Sequence, residues 1–173
     1  ERQAADLGLR ERILFLGELT DSQAAGLLQA GDIYCLPAHL RSEAFGLNQV
    51  EAMACGLPVV STDLPTGVPE INRHGETGII VPPANMQALR EALETLVNNP
   101  GLRKQYGEAG KLRAQTHYSA KRMGEDISQA YRDVLALYSD EAAERSSAIG
   151  RDRSRRTTRG DAPNRVGRFL KGK

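Results

Sequence analysis

Four short apolar runs punctuate the first half of the chain: Ile13–Leu16, Ile33–Leu36, Leu57–Val60 and Gly78–Val81. Each is too short for a helix and rich in β-branched or bulky residues. None alternates cleanly with polar positions, so the pattern predicts strands buried on both faces. Helical patterns lie between them. Thr20-Asp21-Ser22-Gln23 has capping-box form, followed by an apolar stripe of Ala24, Leu27 and Leu28. Leu47, Val50 and Ala54 form a second stripe that ends at Gly56, a residue suited to the left-handed position after a helix. Strands alternating with helices predict a parallel sheet covered on both faces, a doubly wound α/β fold.

After Pro82-Pro83 the pattern is helical only. Leu89, Leu93, Leu96 and Val97 follow helical spacing from an Asn85 cap, and a second helix is predicted over Leu102 to Ala114. Met123, Ile127, Ala130, Tyr131, Val134, Leu135 and Tyr138 mark a third. Beyond about Ala143 the periodicity stops, which divides the chain into a folded part, 1–143, and a basic tail, 144–173, expected to be disordered.

Charge sharpens that division. Residues 151–173 hold nine Lys or Arg against two Asp or Glu, a net of +7, so the rest of the chain carries −6 behind an overall +1. The tail reads as a solvated end, with contact to an anionic membrane through Phe169 and Leu170 as the alternative. Nucleic acid is not an expected partner.

At 173 residues, 40% hydrophobic and 26% charged, the composition is globular. No apolar run approaches the ~20 residues that span a bilayer. The chain enters at Glu1 in mid-helix character, which reads as a fragment or a truncated frame. Cys35 and Cys55 sit in apolar surroundings without metal-ligand spacing and are expected as buried thiols in a reducing, cytoplasmic setting.

The segment from Glu43 to Glu51 lies between the second and third predicted strands and leads into a helix. In a doubly wound fold, ligands bind outside the carboxyl ends of the strands. Exposed N–H groups at a helix start favour an anion such as a diphosphate, and Gly46 removes a side chain where backbone must come close to a ligand. Glu51 falls about 40° from Leu47 on the helical wheel, at the margin of the apolar stripe, where a carboxylate needs a partner. A ribose diol is one such partner, a Lys or Arg another. Glu43 could accept hydrogen bonds from sugar hydroxyls or stand solvated in its loop. His39 reads as structural or solvated, with reach into the same cleft from the loop before Glu43 as the alternative. His74, His117 and Glu70 read as structural or solvated, with a ligand role for Glu70 as the alternative.

This segment resembles family 4 of the glycosyltransferases, of the GT-B fold, whose signature is Glu, seven residues, Glu, with Phe-Gly-Leu or Phe-Gly-Ile after the first Glu. Here the match is Glu43-Ala44-Phe45-Gly46-Leu47, then Glu51-Ala52-Met53-Ala54-Cys55-Gly56-Leu57-Pro58-Val59-Val60. Phe15-Leu16-Gly17, residues 32–37, 65–71 and 75–83 are similar to the family too, so the resemblance runs from about Glu1 to Tyr138. It implies the Rossmann-like, C-terminal half of a GT-B enzyme that transfers a sugar, with retention, from a nucleotide-diphosphate donor to an acceptor glycan or lipid-linked sugar. By that resemblance Glu43 contacts the donor sugar, Ala44 to Leu47 meet sugar and diphosphate, Glu51 holds the ribose and Leu19, with Glu18, lies against the base. It also implies no metal and no cofactor beyond the donor itself.

The family's basic Arg…Lys pair and its N-terminal acceptor domain have no counterpart in this sequence; Arg2, Arg10 and Arg12 are the nearest substitutes. The chain alone is therefore expected to be weakly active or inactive as a polysaccharide- or glycolipid-building transferase, cytoplasmic or peripheral at the inner membrane face. The competing reading is a truncated, non-catalytic module for nucleotide-sugar or protein binding. Pro65-Thr66-Gly67-Val68, where many relatives have a Gly-Gly pair, resembles mannosyl- or rhamnosyl-type enzymes.

Overall fold

The computed structural model of the chain describes residues 1–157, with side chains described to residue 139. By contacts it divides into two units, Glu1–Arg122 and Met123–Lys173. The first opens with α1 (Arg2–Asp6), a 3₁₀ turn at Arg10–Arg12 and α2 (Asp21–Ala30), followed by β1 (Tyr34–Leu36), α3 (Leu47–Ala54), β2 (Val59–Thr62), α4 (Val68–Ile71), β3 (Gly78–Val81), α5 (Met86–Asn98) and α6 (Pro100–His117). The strands form one parallel sheet in the order β1-β2-β3, with Tyr34 opposite Val59 and Val59 opposite Gly78. Three of the four apolar runs thus become the sheet of an α/β fold.

Alternate side chains of each strand feed two cores. On one face Val60 and Val81 meet Ala92 and Leu96 of α5 and Tyr106 of α6, with Cys35 and Ile79 at the margin. On the other, Tyr34 and Val59 meet Val50 and Met53 of α3, Ile71 of α4 and Ala114 of α6. Fully buried residues such as Val59, Val60, Ile71 and Leu96 each contribute about 1.5–3 kcal/mol through burial. Close approach of α6 rests on Gly107 and Gly110: a Cβ on the first would run into the Gly56 carbonyl, and on the second would lie 3.2 Å from the Met53 side chain.

A buried polar hub ties β2 to β3. The Asn72 amide donates to the Val59 carbonyl (3.2 Å), Ser61 Oγ (2.9 Å) and the Ile79 carbonyl (3.4 Å), while its Oδ1 accepts from Thr77 Oγ1 (3.0 Å). Every one of these groups would be costly to bury unpaired.

Local signals are realised where their partners are local. Thr20 and Gln23 form the reciprocal capping box, Asn85 caps α5, and Gly56 takes φ 83° after α3. The expected helix over Leu102 to Ala114 extends to Pro100–His117. Both cysteines are free and half-buried.

Two expectations are corrected. Ile13–Leu16 forms no strand: it joins no ladder, and all four residues are exposed, Leu14 to 80%. The buried face of α3 is Gln49, Ala52 and Met53, while Leu47 and Ala54 are exposed. α3 turns its small and flexible residues toward α6 and its Gln49 amide toward buried carbonyls, which overrides the apolar count of the other stripe.

In the second unit, α7 (Ala120–Thr157, beginning three residues before the boundary) presents Met123, Ile127, Tyr131, Val134, Leu135 and Tyr138 exposed along its length. The helix takes in 144–157 of the segment expected as tail; 158–173, with Phe169 and Leu170, lie outside the described residues. Among the described residues no helix is long and apolar enough to cross a membrane.

Candidate functional site

The candidate residues gather around the first turns of α3. Its N-cap is Gly46, at φ 74°, and no side chain caps the helix. The first N–H groups of an α-helix lack intrahelical partners and carry its positive dipole end, so this turn is suited to an anion. The glycine has an internal cause as well. A Cβ at Gly46 would lie 2.8 Å from Gln49 Nε2 and 2.9 Å from Leu36 Cδ2, so packing beneath the loop, together with the left-handed φ, demands glycine here.

Two concavities lie along α3, one at this turn and one at the second half of the helix. One, of about 430 Å³, is lined by Ser42, Glu43, Ala44, Phe45, Gly46, Leu47 and Asn48. The other, of about 450 Å³, runs between α2 and α3 and is lined by Asp21, Ala24, Ala25, Leu28, Glu51, Ala54 and Cys55. Glu43 is half-buried and Glu51 exposed on its helix, and the two carboxylates line different hollows. Leu19, half-buried, immediately precedes the capped start of α2. Neither lining includes Lys or Arg.

Tyr34 joins the two hollows electrostatically. Burial, and then the negative charges of Cys35, Glu43 and Glu51, push its hydroxyl up to about 12. The phenol therefore stays protonated at neutral pH and can donate a hydrogen bond. Nothing in the apolar run around Tyr34 marked it; the signal was a polar-tipped aromatic two residues from a strand's carboxyl end, the edge where ligands bind.

The loop is fixed from below. The Gly67 N–H donates to the Ala44 carbonyl (2.8 Å), and Gln49 Nε2 spans the carbonyls of Phe45 and Val68, 3.4 Å from each. Gln49 Oε1 is buried without a hydrogen-bond partner.

The remaining residues stand apart. His39 lines a separate cavity of about 380 Å³ at the carboxyl ends of the strands, with Thr62, Pro82 and Asn85. His74 Nδ1 accepts from the Ile80 N–H (3.0 Å), a structural bond. Glu70 lies in the first turn of α4. His117 packs near the Tyr118 ring. Arg10 sits over the Phe15 ring at 5.6 Å, and Arg2, Arg10 and Arg12 line neither hollow.

With that geometry in hand, comparison with known proteins decides the family. Residues 1–113 match the family described as Glycosyl transferases group 1. The chain belongs to this family. Among relatives, the D-rhamnosyltransferase WbpZ of Pseudomonas aeruginosa is 40% identical over 118 residues, 68% of this chain and 31% of that protein. A phosphatidyl-myo-inositol mannosyltransferase of Mycobacterium leprae is 39% identical over 127 residues, 73% of this chain and 33% of its own length. The chain thus spans about a third of the curated glycosyltransferases it matches.

Solved structures carry the same fold. Sucrose-phosphate synthase of Thermosynechococcus elongatus superposes with a TM-score of 0.72 at 28% identity, over 79% of this chain and 33% of that one. HepE of Anabaena, solved in complex with UDP, superposes with 0.70 at 26% identity, over 76% and 35%. The architecture is that of GT-B glycosyltransferases, and the Glu43–Glu51 segment lies inside the matched residues.

Proposed function

We propose that this chain supplies the nucleotide-sugar-binding surface of a retaining glycosyltransferase. In this reading the nucleoside lies in the α2–α3 groove with Glu51 on the ribose and Leu19 toward the base. The diphosphate meets the uncapped start of α3, and the sugar lies over Glu43 and the backbone of Ala44 to Leu47. The observation that carries the proposal is the placement of the two glutamates in hollows along α3, Glu43 at a helix start that has no cap of its own and Glu51 between α2 and the second half of the helix.

Chemically the site acts by positioning the donor and stabilising charge on the departing diphosphate. Glu43 orients the sugar and is not assigned as a nucleophile. No metal or cofactor is part of the proposal. Relatives named as rhamnosyl- and mannosyltransferases support a hexose donor, and an O-antigen chain mannosyltransferase among them supports a glycan or lipid-linked acceptor.

The same linings favour a second reading for the chain by itself. With no Lys or Arg in either hollow, the diphosphate is neutralised only by backbone dipoles, so the isolated chain binds donor but transfers weakly or not at all.

Calorimetric titration with UDP, GDP and ADP, alongside Glu51→Ala, tests the proposal. Saturable binding of one nucleotide, weakened at least tenfold in the variant, is expected. No binding of any nucleotide, or equal binding by the variant, would overturn it. Sugar transfer by the chain alone, above background, would overturn the second reading.

A further inference from the structure

We infer that Tyr118, outside both hollows, is a positioning residue: it fixes Phe45 and, through Phe45, the loop that carries Glu43. The inference rests on the functional reading above only for what the loop binds; the mechanical coupling stands on its own geometry.

Tyr118 follows α6 as its C-cap residue. Its hydroxyl donates to the Glu70 carbonyl (3.0 Å) and accepts from Arg113 Nη2 (3.2 Å). Arg113 also donates to the carbonyls of Ile71 (3.0 Å) and Glu70 (2.7 Å), and its guanidinium lies 5.5 Å above the Tyr118 ring. The ring is thus tied to the carboxyl end of α4 directly by its hydroxyl and indirectly by the charge-assisted bonds of Arg113.

The pinned ring meets Phe45 edge to face, centroids 6.3 Å apart and planes at 74°, the favoured aromatic geometry. Gly67 closes another side, for a Cβ there would overlap the Phe45 ring. Phe45 nevertheless remains 38% exposed. A ring recruited only to fill the core would be covered. This one is a wedge, held by Tyr118 and Gly67 while it lines the hollow beside Glu43.

Coupling of this kind predicts a local response. In the full chain, Tyr118→Ala should speed amide exchange at Gly67, whose N–H is bonded to Ala44, by roughly tenfold or more, with the β2 and β3 amides unchanged. It should weaken UDP-glucose about tenfold while UDP binding stays within about twofold, because the loop's contacts at Glu43 are to the sugar, whereas UDP keeps Glu51 and the N–H groups of α3, whose start is held separately by Gly46 and Gln49. GDP and GDP-mannose replace these probes if titration selects guanine. Tyr118→Phe, which keeps the ring edge, should restore most of both. Should Tyr118→Ala fail to fold, Phe45→Leu removes the same contact from the other side. Uniformly faster exchange throughout β2 and β3, unchanged exchange at Gly67, or equal loss of UDP and UDP-glucose would overturn the inference. If the wild-type chain binds no nucleotide, the donor-site reading falls and the exchange arm still decides whether Tyr118 holds the loop.

Discussion

Gly46 and Gln49 are interlocked at the start of α3: the glycine Cα leaves room for the glutamine amide, which reaches back to the Phe45 carbonyl at 3.4 Å. A left-handed φ costs a non-glycine residue roughly 1–2 kcal/mol, and a Cβ 2.8 Å from Nε2 adds overpacking of about 1–3 kcal/mol. Gly46→Ala should therefore lose about 2–5 kcal/mol in urea unfolding. A loss under ~1 kcal/mol would show that the loop relaxes freely and that this interlock matters little.

Glu51→Gln separates binding from folding. The side chain is exposed on α3, so stability should stay within about 0.5 kcal/mol of wild type. Nucleotide affinity should fall at least tenfold, about 1.4 kcal/mol. Thermal melts and calorimetry on the same samples check both halves, and a large drop in melting temperature would assign Glu51 a structural role instead.

Asn72→Ala makes the opposite prediction. Removing the hub takes the amide donor from the buried Ser61 hydroxyl and from the Val59 and Ile79 carbonyls, while Thr77 Oγ1 loses one acceptor but keeps the Arg73 N–H at 2.8 Å. A cost of about 1–3 kcal/mol is expected from the buried Ser61 hydroxyl left without its donor. Equilibrium unfolding measures it.

Tyr34 gives the chain a pH dependence at the alkaline end. The fold raises this phenol from its ordinary 10.0 to about 12, so below pH 10 both folded and unfolded chains hold the proton and stability is intact. Between pH 10 and 12 the unfolded chain releases the proton first, and stability falls as pH rises. Tyr34→Phe should lack this component. Comparing the two pH profiles of unfolding isolates it, and parallel profiles across that window would refute the shift.

What the sequence revealed depended on how local the cause was. Tyr34–Leu36, Val59–Thr62 and Gly78–Val81 are strands because they are apolar and also find neighbours. Ile13–Leu16 has the same pattern, yet a strand is defined by hydrogen bonds to another strand, which no local reading supplies. The α3 face was misjudged because hydrophobicity ranks Leu47 above Gln49. What turned the helix was a need for a donor near the Phe45 and Val68 carbonyls. Glu43 and Glu51 were singled out by the resemblance of the whole segment around them, not by their spacing alone. Tyr118 was not, since it touches Phe45 across 73 positions of chain and leaves no periodic signal.

The division between frame and face at the α3 loop has a consequence for how such a protein can change over generations. Ser42, Ala44, Leu47 and Asn48 are exposed, whereas Gly46 and Gln49 beneath them are buried. Substitutions at the upper four can accumulate with little penalty to the fold, altering what the surface accepts, while the lower positions are held by packing. A scaffold arranged this way lets ligand preference drift under selection with the architecture left intact.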